Sequence, residues 1–227
     1  GSATLTAVAE DTTAPAGSTV TNLFGASFSD VDGNTLAGVV LTANAATATQ
    51  GSWQWLNGST WTTISTTLSD SAGLFLTAAT SLRFLPAANY NGTPGSLTAR
   101  LVDNSSTTAP ANGSTVNVAT NGGQTTYSAA TVALNTSITP VNDAPLASGS
   151  ATLSAIPANT TAPPGNTVSG LFSGNFSDPD NNTLAGVVLT TNAATATQGS
   201  WQWLNGTTWT SIATSLTNNS GLFLTAT

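Results

Sequence analysis

The same text occurs twice in this chain, and that repetition limits what it can fold into more than any other feature. Gly1–Thr6, G-S-A-T-L-T, returns as Gly149–Ser154, G-S-A-T-L-S, an offset of 148 residues. At that offset Thr35–Gly58 and Thr183–Gly206 differ only where Ala43 faces Thr191. A period this long gives each copy enough chain for its own core. The chain therefore reads as a first repeat at residues 1–139, an inter-repeat linker at 140–147, and the first half of a second repeat at 148–227. On this reading Thr227 matches Ala79, and the chain is expected to be a slice of a longer array. Any signal peptide is expected to lie ahead of Gly1, which opens a repeat.

Hydrophobic residues make up 39% of the sequence, enough for a core, but charged residues only 5%, far below the roughly 25% of an ordinary globular chain. Thr, Ser, Asn and Gly carry the polarity instead, which suits β-branched strands joined by small polar turns. Short alternating segments punctuated by turn residues point to an all-β chain of tandem antiparallel β-sandwich repeats. Leu36–Thr42 is apolar on both faces and reads as a central strand. Ala3–Glu10 and Ser18–Phe24 read as strands near the start, and no segment shows a helical period. Gln50–Thr63 reads as a hairpin with Asn57-Gly58 in a type I′ turn, placing Trp53 and Trp55 on one face and Trp61 on the other. Alternation puts Leu41, Leu76, Phe84, Leu101 and Leu134 inside and turns Arg83 and Arg100 outward. The polar stretch Asn104–Thr126 reads as a long loop around a weak strand at Thr115–Ala119.

Net charge is −7, from nine acids against two arginines. With no Lys at all, this balance argues against nucleic acid and anionic membrane as partners. No apolar run reaches the roughly 18 residues of a membrane helix. The chain has no Cys and no His, which excludes disulfides and thiolate metal sites and removes the usual general bases and nucleophiles. An enzyme is not the expected reading.

The acids gather at strand ends and turns: Glu10 and Asp11, Asp30 and Asp32, Asp103, Asn142 with Asp143, and Asp178 with Asp180. A D-x-D pair on an extended segment holds two carboxylates on one side. With so few cations in the chain, Ca²⁺ is the natural neutraliser, since it takes six to eight hard oxygens. Short Asp and Asn turns also fold well with no ion present, and that bland account applies most strongly to Asp70.

The order A-E-D (Ala9–Asp11), S-D-V-D-G-N-T (Ser29–Thr35), L-V-D (Leu101–Asp103) and V-N-D-A-P (Val141–Pro145) resembles a cadherin-type repeat. More narrowly it is similar to cadherin-like and Ig-like repeats of giant bacterial surface adhesins, where G-x-W, R-F-x-P and Y-N-G elements recur; here these are Gly51–Trp53, Arg83–Pro86 and Tyr90–Gly92. The resemblance implies that Asp178 and Asp180 meet Asn142, Asp143 and Glu10 around Ca²⁺. It implies that Asp30, Asp32 and Asp103 face a preceding repeat. The mid-domain acidic pair of cadherins has no match, and Glu10 and Asp11 become Ala158 and Asn159 in the second copy.

The expected protein is thus an extracellular, secreted or cell-surface structural repeat in an adhesin, stalk or fibre, stiffened by Ca²⁺ at its junctions. Its partners are neighbouring repeats of the same protein and other copies in a fibre. The alternative is a carbohydrate-binding module that offers glycan an exposed ring among Trp53, Trp55 and Trp61.

Overall fold

The computed structural model describes residues 1–227 and is mostly β, with its strands arranged in several antiparallel sheets. The chain divides into two units, Gly1–Asn142 and Asp143–Thr227. In the first, the strands are β1 (Ser2–Thr4), β2 (Val8–Ala9), β3 (Ser18–Thr19), β4 (Leu36–Asn44), β5 (Gly51–Asn57) and β6 (Thr60–Thr63). There follow β7 (Gly73–Thr77), β8 (Ser81–Pro86), β9 (Leu97–Asp103), β10 (Thr115–Val116), β11 (Tyr127–Asn135) and β12 (Ile138–Thr139).

One sheet has the order β1-β11-β9-β4-β7-β10 and another β3-β8-β5-β6. Their facing side chains form a shared core: Val39, Leu41, Leu76, Ala99 and Leu134 from the first, Trp53, Trp55, Leu82 and Phe84 from the second. Trp53 is fully buried, meets Phe84 edge to face with centroids 5.1 Å apart, and donates through Nε1 to Gly95 O at 2.8 Å. The polar end of the indole is thus satisfied inside the core. The expected interior positions Leu41, Leu76, Phe84, Leu101 and Leu134 are all buried.

Leu36–Thr42 is apolar on both faces because β4 is covered on both. Val39 and Leu41 enter the main core, while Val40 joins Phe75, Val102 and Val118 in a second cluster on the other side. Val118 comes from the polar 104–126 stretch, which is therefore a cover for that face. Its strand is shorter than expected, ending at Val116.

Three local expectations are corrected. Ala3–Glu10 is two strands, because the segment changes sheets: β1 runs parallel to β11 and β2 parallel to β12. Leu5 N to Asn135 O and Val8 N to Ser137 O, at 2.8 and 3.1 Å, carry it across. Ser18–Phe24 is a strand only to Thr19. Val20–Phe24 forms helix α1, with the Thr19 hydroxyl accepting from Asn22 N at 3.2 Å as an N-cap. Five residues are too few to display a helical period, yet Val20, Leu23 and Phe24 bury one face. The hairpin closes at Asn57 opposite Thr60, so its two loop residues are Gly58 and Ser59. Only Gly58 has positive φ, 63°, the Gly-first pattern of a type II′ turn. A loop at Asn57-Gly58 would put Gln54 opposite Trp61; Leu56 takes that place instead, a register shift of two residues, and Trp61 still lies on the face opposite Trp53 and Trp55.

The second unit comprises β13 (Leu146–Ala147), helix α2 (Val168–Phe172), β14 (Phe176–Ser177), β15 (Gly186–Leu189), β16 (Gln202–Asn205), β17 (Thr208–Ser211) and β18 (Leu222–Thr225). Its strands pair as β13 with β14, β15 with β18 and β16 with β17, all antiparallel. Local details of the first unit recur at the 148-residue offset. Thr167 caps α2 by accepting from Gly170 N at 3.0 Å. Asn44 Nδ2 donates to Ile64 O at 2.9 Å, and Asn192 Nδ2 to Ile212 O at 2.8 Å. Gln50 Oε1 accepts from Thr47 N at 3.0 Å, and Gln198 Oε1 from Thr195 N at 2.9 Å.

Candidate functional site

Apart from Asp70, the acids fall into three places within the two units. At the end of β2, Glu10 is 3% exposed, which an acid tolerates only when its oxygens have partners. Oε1 accepts from Val141 N at 2.6 Å and Oε2 from Asn91 Nδ2 at 3.2 Å. Beside it, Asp11 takes the left-handed conformation, φ 60°, and its Oδ1 accepts from the backbone N–H of Asn89, itself left-handed at φ 56°. Together the two carboxylates hold the 89–91 corner, while Glu10 also ties down the segment leaving β12. Asn89, Asn91 and the Val141 amide are the partners that sequence reasoning missed. The Y-N-G element at Tyr90–Gly92 was the one signal that could have pointed to them.

The second place is the Asp30–Asn34 loop. Its D-x-D does not lie on an extended segment. Asp30 Oδ1 accepts from Asp32 N at 2.9 Å and Asn34 N at 3.0 Å, so the backbone turns around the first carboxylate. That leaves Asp30 half-buried inside the turn and Asp32 exposed on its outside. Asp103, which sits opposite Leu36 at the end of β9, accepts from Ser105 N at 2.8 Å and from the Ser105 hydroxyl. Asp30 and Asp103 share a hollow of about 460 Å³, also lined by Gly1, Phe28 and Ser29. Asp32 is not part of its lining.

The third place is the matching loop of the second unit. Asp178 Oδ1 accepts from Asp180 N at 2.9 Å and Asn182 N at 3.2 Å, the same turn as in the first copy. Asp180 makes one bond more, its Oδ2 accepting from Asp143 N at 2.7 Å. Next along the chain, β13 pairs with β14, and Ser148 N donates to Asn175 O at 2.9 Å. Thus Asp143, Leu146 and Ala147, expected in a linker, are built into the second unit. Glu10 and Asn142 belong to the first.

Neither arginine serves these acids. Arg100 forms a two-pronged bond with Asp70, Nε to Oδ1 at 3.1 Å and Nη2 to Oδ2 at 2.9 Å. It also donates to Ser128 O and Ala129 O. Hydrogen bonding from Arg100 holds the Asp70 carboxyl below its ordinary range. Arg83 donates to Gln54 Oε1 at 2.8 Å and lies 4.2 Å from the centre of the Trp61 ring. Trp53 and Trp55 are buried and Trp61 is half-buried under that guanidinium. The first unit therefore offers no bare indole face of the kind a sugar platform uses. In the second unit the counterparts Trp201 and Trp209 are 53% and 48% exposed.

No three acidic side chains converge, and most carboxylates already accept from the protein's own N–H groups. The six to eight oxygens of a Ca²⁺ site would therefore have to include Asn side chains and backbone carbonyls besides these acids. No family model, curated protein or solved structure matches the chain.

Proposed function

We propose that this chain is a stretch of tandem structural module, one β-sandwich repeat and the first half of the next at a 148-residue period, from an extracellular or cell-surface stalk or fibre. The observation that carries the reading is the recurrence of local structure at the sequence offset: the capped helix, the Asp-centred turn, the Asn44/Asn192 and Gln50/Gln198 bonds. A chain that rebuilds the same unit in succession gains length, and length between attachment points is what a stalk supplies. Low charge and abundant Thr, Ser and Asn suit a solvated surface with no bias toward one class of ligand. The acids act first as structural fasteners: Glu10 and Asp11 on one corner, Asp30 and Asp178 within their turns.

The reading includes Ca²⁺ at junctions between repeats, with Asp143, Asp178 and Asp180 as donors from the second unit. Support for the ion is the unbalanced charge of −7. The chain's own residues supply the turns that present those carboxylates, and the ion would supply only charge neutralisation there. The test is small-angle scattering and thermal melting of the full chain in millimolar Ca²⁺ and in chelator. The ion's role requires a stiffer, higher-melting chain with Ca²⁺ and loss of both effects in Asp178→Ala/Asp180→Ala. Profiles and melting temperatures that ignore chelator would remove Ca²⁺ from the account and leave the repeat architecture standing.

A further inference from the structure

We infer that the edge Phe28–Ser29 of the first unit, with the Asp32 carboxylate beside it, is a docking slot for a linker segment of the sequence V-N-D-A-P-L-A-S, the text of residues 141–148 carried by another copy of the repeat. The inference rests on the tandem reading above. Its template lies within this chain. In the second unit, Leu146 and Ala147 lie antiparallel to Ser177 and Phe176, Ser148 N reaches Asn175 O, and Asp143 N reaches Asp180 Oδ2. At the 148-residue offset, Phe176, Ser177 and Asp180 are Phe28, Ser29 and Asp32.

The first unit has the receiving half of this arrangement without the donated half. The Asp30-centred turn that presents Asp32 repeats the two carboxylate-to-backbone bonds of the Asp178-centred turn. Phe28–Ser29 forms no strand pairing, whereas Phe176–Ser177 does. Exposure follows the same division: Val31 is 102% exposed and Asp32 exposed, while Pro179 and Asp180 are half-buried. A fully exposed valine beside an unpaired edge is an apolar surface in want of a cover. The hollow of about 460 Å³ lined by Gly1, Phe28 and Ser29 runs along this edge, and a segment leading into Gly1 in the template register passes beside it.

Recognition is mostly main-chain. Two residues add as a strand, with one backbone N–H to the Asp32 carboxylate fixing the register. One contact of the template has no equivalent in the first unit: Asn175 Nδ2 donates to Ser148 O at 2.6 Å, and the residue at that offset is Ser27.

The test extends the full chain by Val-Asn-Asp-Ala-Pro-Leu-Ala-Ser ahead of Gly1 and compares it with a scrambled extension of the same composition. Both are measured in chelator, so that failure of the calcium part of the proposed function leaves the outcome unaffected. In the template Ser177 lies two residues along from the bonded Ser148–Asn175 pair, so the Ser29 amide is the one the added strand should bond. Its hydrogen exchange should slow about tenfold or more in the native extension, with Ser177 as the protected reference in the same molecule. Asp32→Ala in the extended chain should reverse most of that protection without disturbing the Asp30 turn. Equal Ser29 exchange in the native and scrambled extensions would overturn the slot, and protection indifferent to Asp32→Ala would overturn the role given to Asp32.

Discussion

Glu10→Ala removes the most deeply buried acid of the chain and the two bonds it accepts. A hydrogen bond to a charged group contributes about 1.5–3 kcal/mol, and a buried donor left without a partner costs about 1–3 kcal/mol. The two freed donors are not equally stranded. Val141 is 47% exposed, so its N–H can turn to water, and Asn91 is an exposed residue. Removing a charge from a 3% exposed site also relieves its desolvation cost. The net loss is therefore placed at about 1–3 kcal/mol, at the lower end of a plain sum. For a unit of this size that corresponds to a drop of roughly 3–12 °C in melting temperature. Glu10→Gln keeps one acceptor and should fall between alanine and wild type. Calorimetry gives the temperature, and hydrogen exchange at the Val141 amide reports the bond itself. If the alanine variant melts with wild type and Val141 exchanges at an unchanged rate, Glu10 does not fasten the segment after β12.

Asp70→Asn should cost about 0.5–1 kcal/mol at neutral pH, a modest figure because the Asp70 side chain is 42% exposed. Since Arg100 lowers the folded carboxyl's pKa, the stabilisation is present above the ordinary carboxylate range and is lost as pH falls through the lowered value. The gap between wild type and variant should therefore close in acid; a gap that widens there would contradict the pairing. Gly95→Ala would place a Cβ 2.1 Å from Ala45 O and 2.5 Å from Ala46 N, and a loss above about 3 kcal/mol is expected by denaturant titration. Gly25→Ala, which meets nothing within 4 Å at a helical φ of −57°, should be neutral or slightly stabilising; similar losses at both positions would count against the packing described.

Much of the fold was legible because burial and sequence share a period in strands. The double-sided apolarity of Leu36–Thr42 announced a strand with neighbours and cover on both faces. Leu97, Ala99 and Leu101 alternate with Arg100 as a half-buried strand must. The features that could not be read depended on partners distant in sequence. Glu10 and Val141 are 131 residues apart, and Asp11 and Asn89 are 78; no local pattern encodes either bond. Asp30-Val31-Asp32 reads equally well as an extended pair or a turn, and the backbone N–H groups of Asp32 and Asn34 decide it. The same holds for Asn57-Gly58-Ser59, where a single positive φ at Gly58 suffices and the hairpin closes one residue later.

The central claim is that the repeat is a self-contained mechanical unit, and stretching a tandem array of residues 1–148 under force tests it most directly. Each unfolding event should release a chain of about 140 residues, roughly 45–50 nm of added contour length, and successive events should be evenly spaced and equal in number to the repeats. Extension without regular steps, or steps of unrelated length, would contradict the reading of this chain as a tandem structural module.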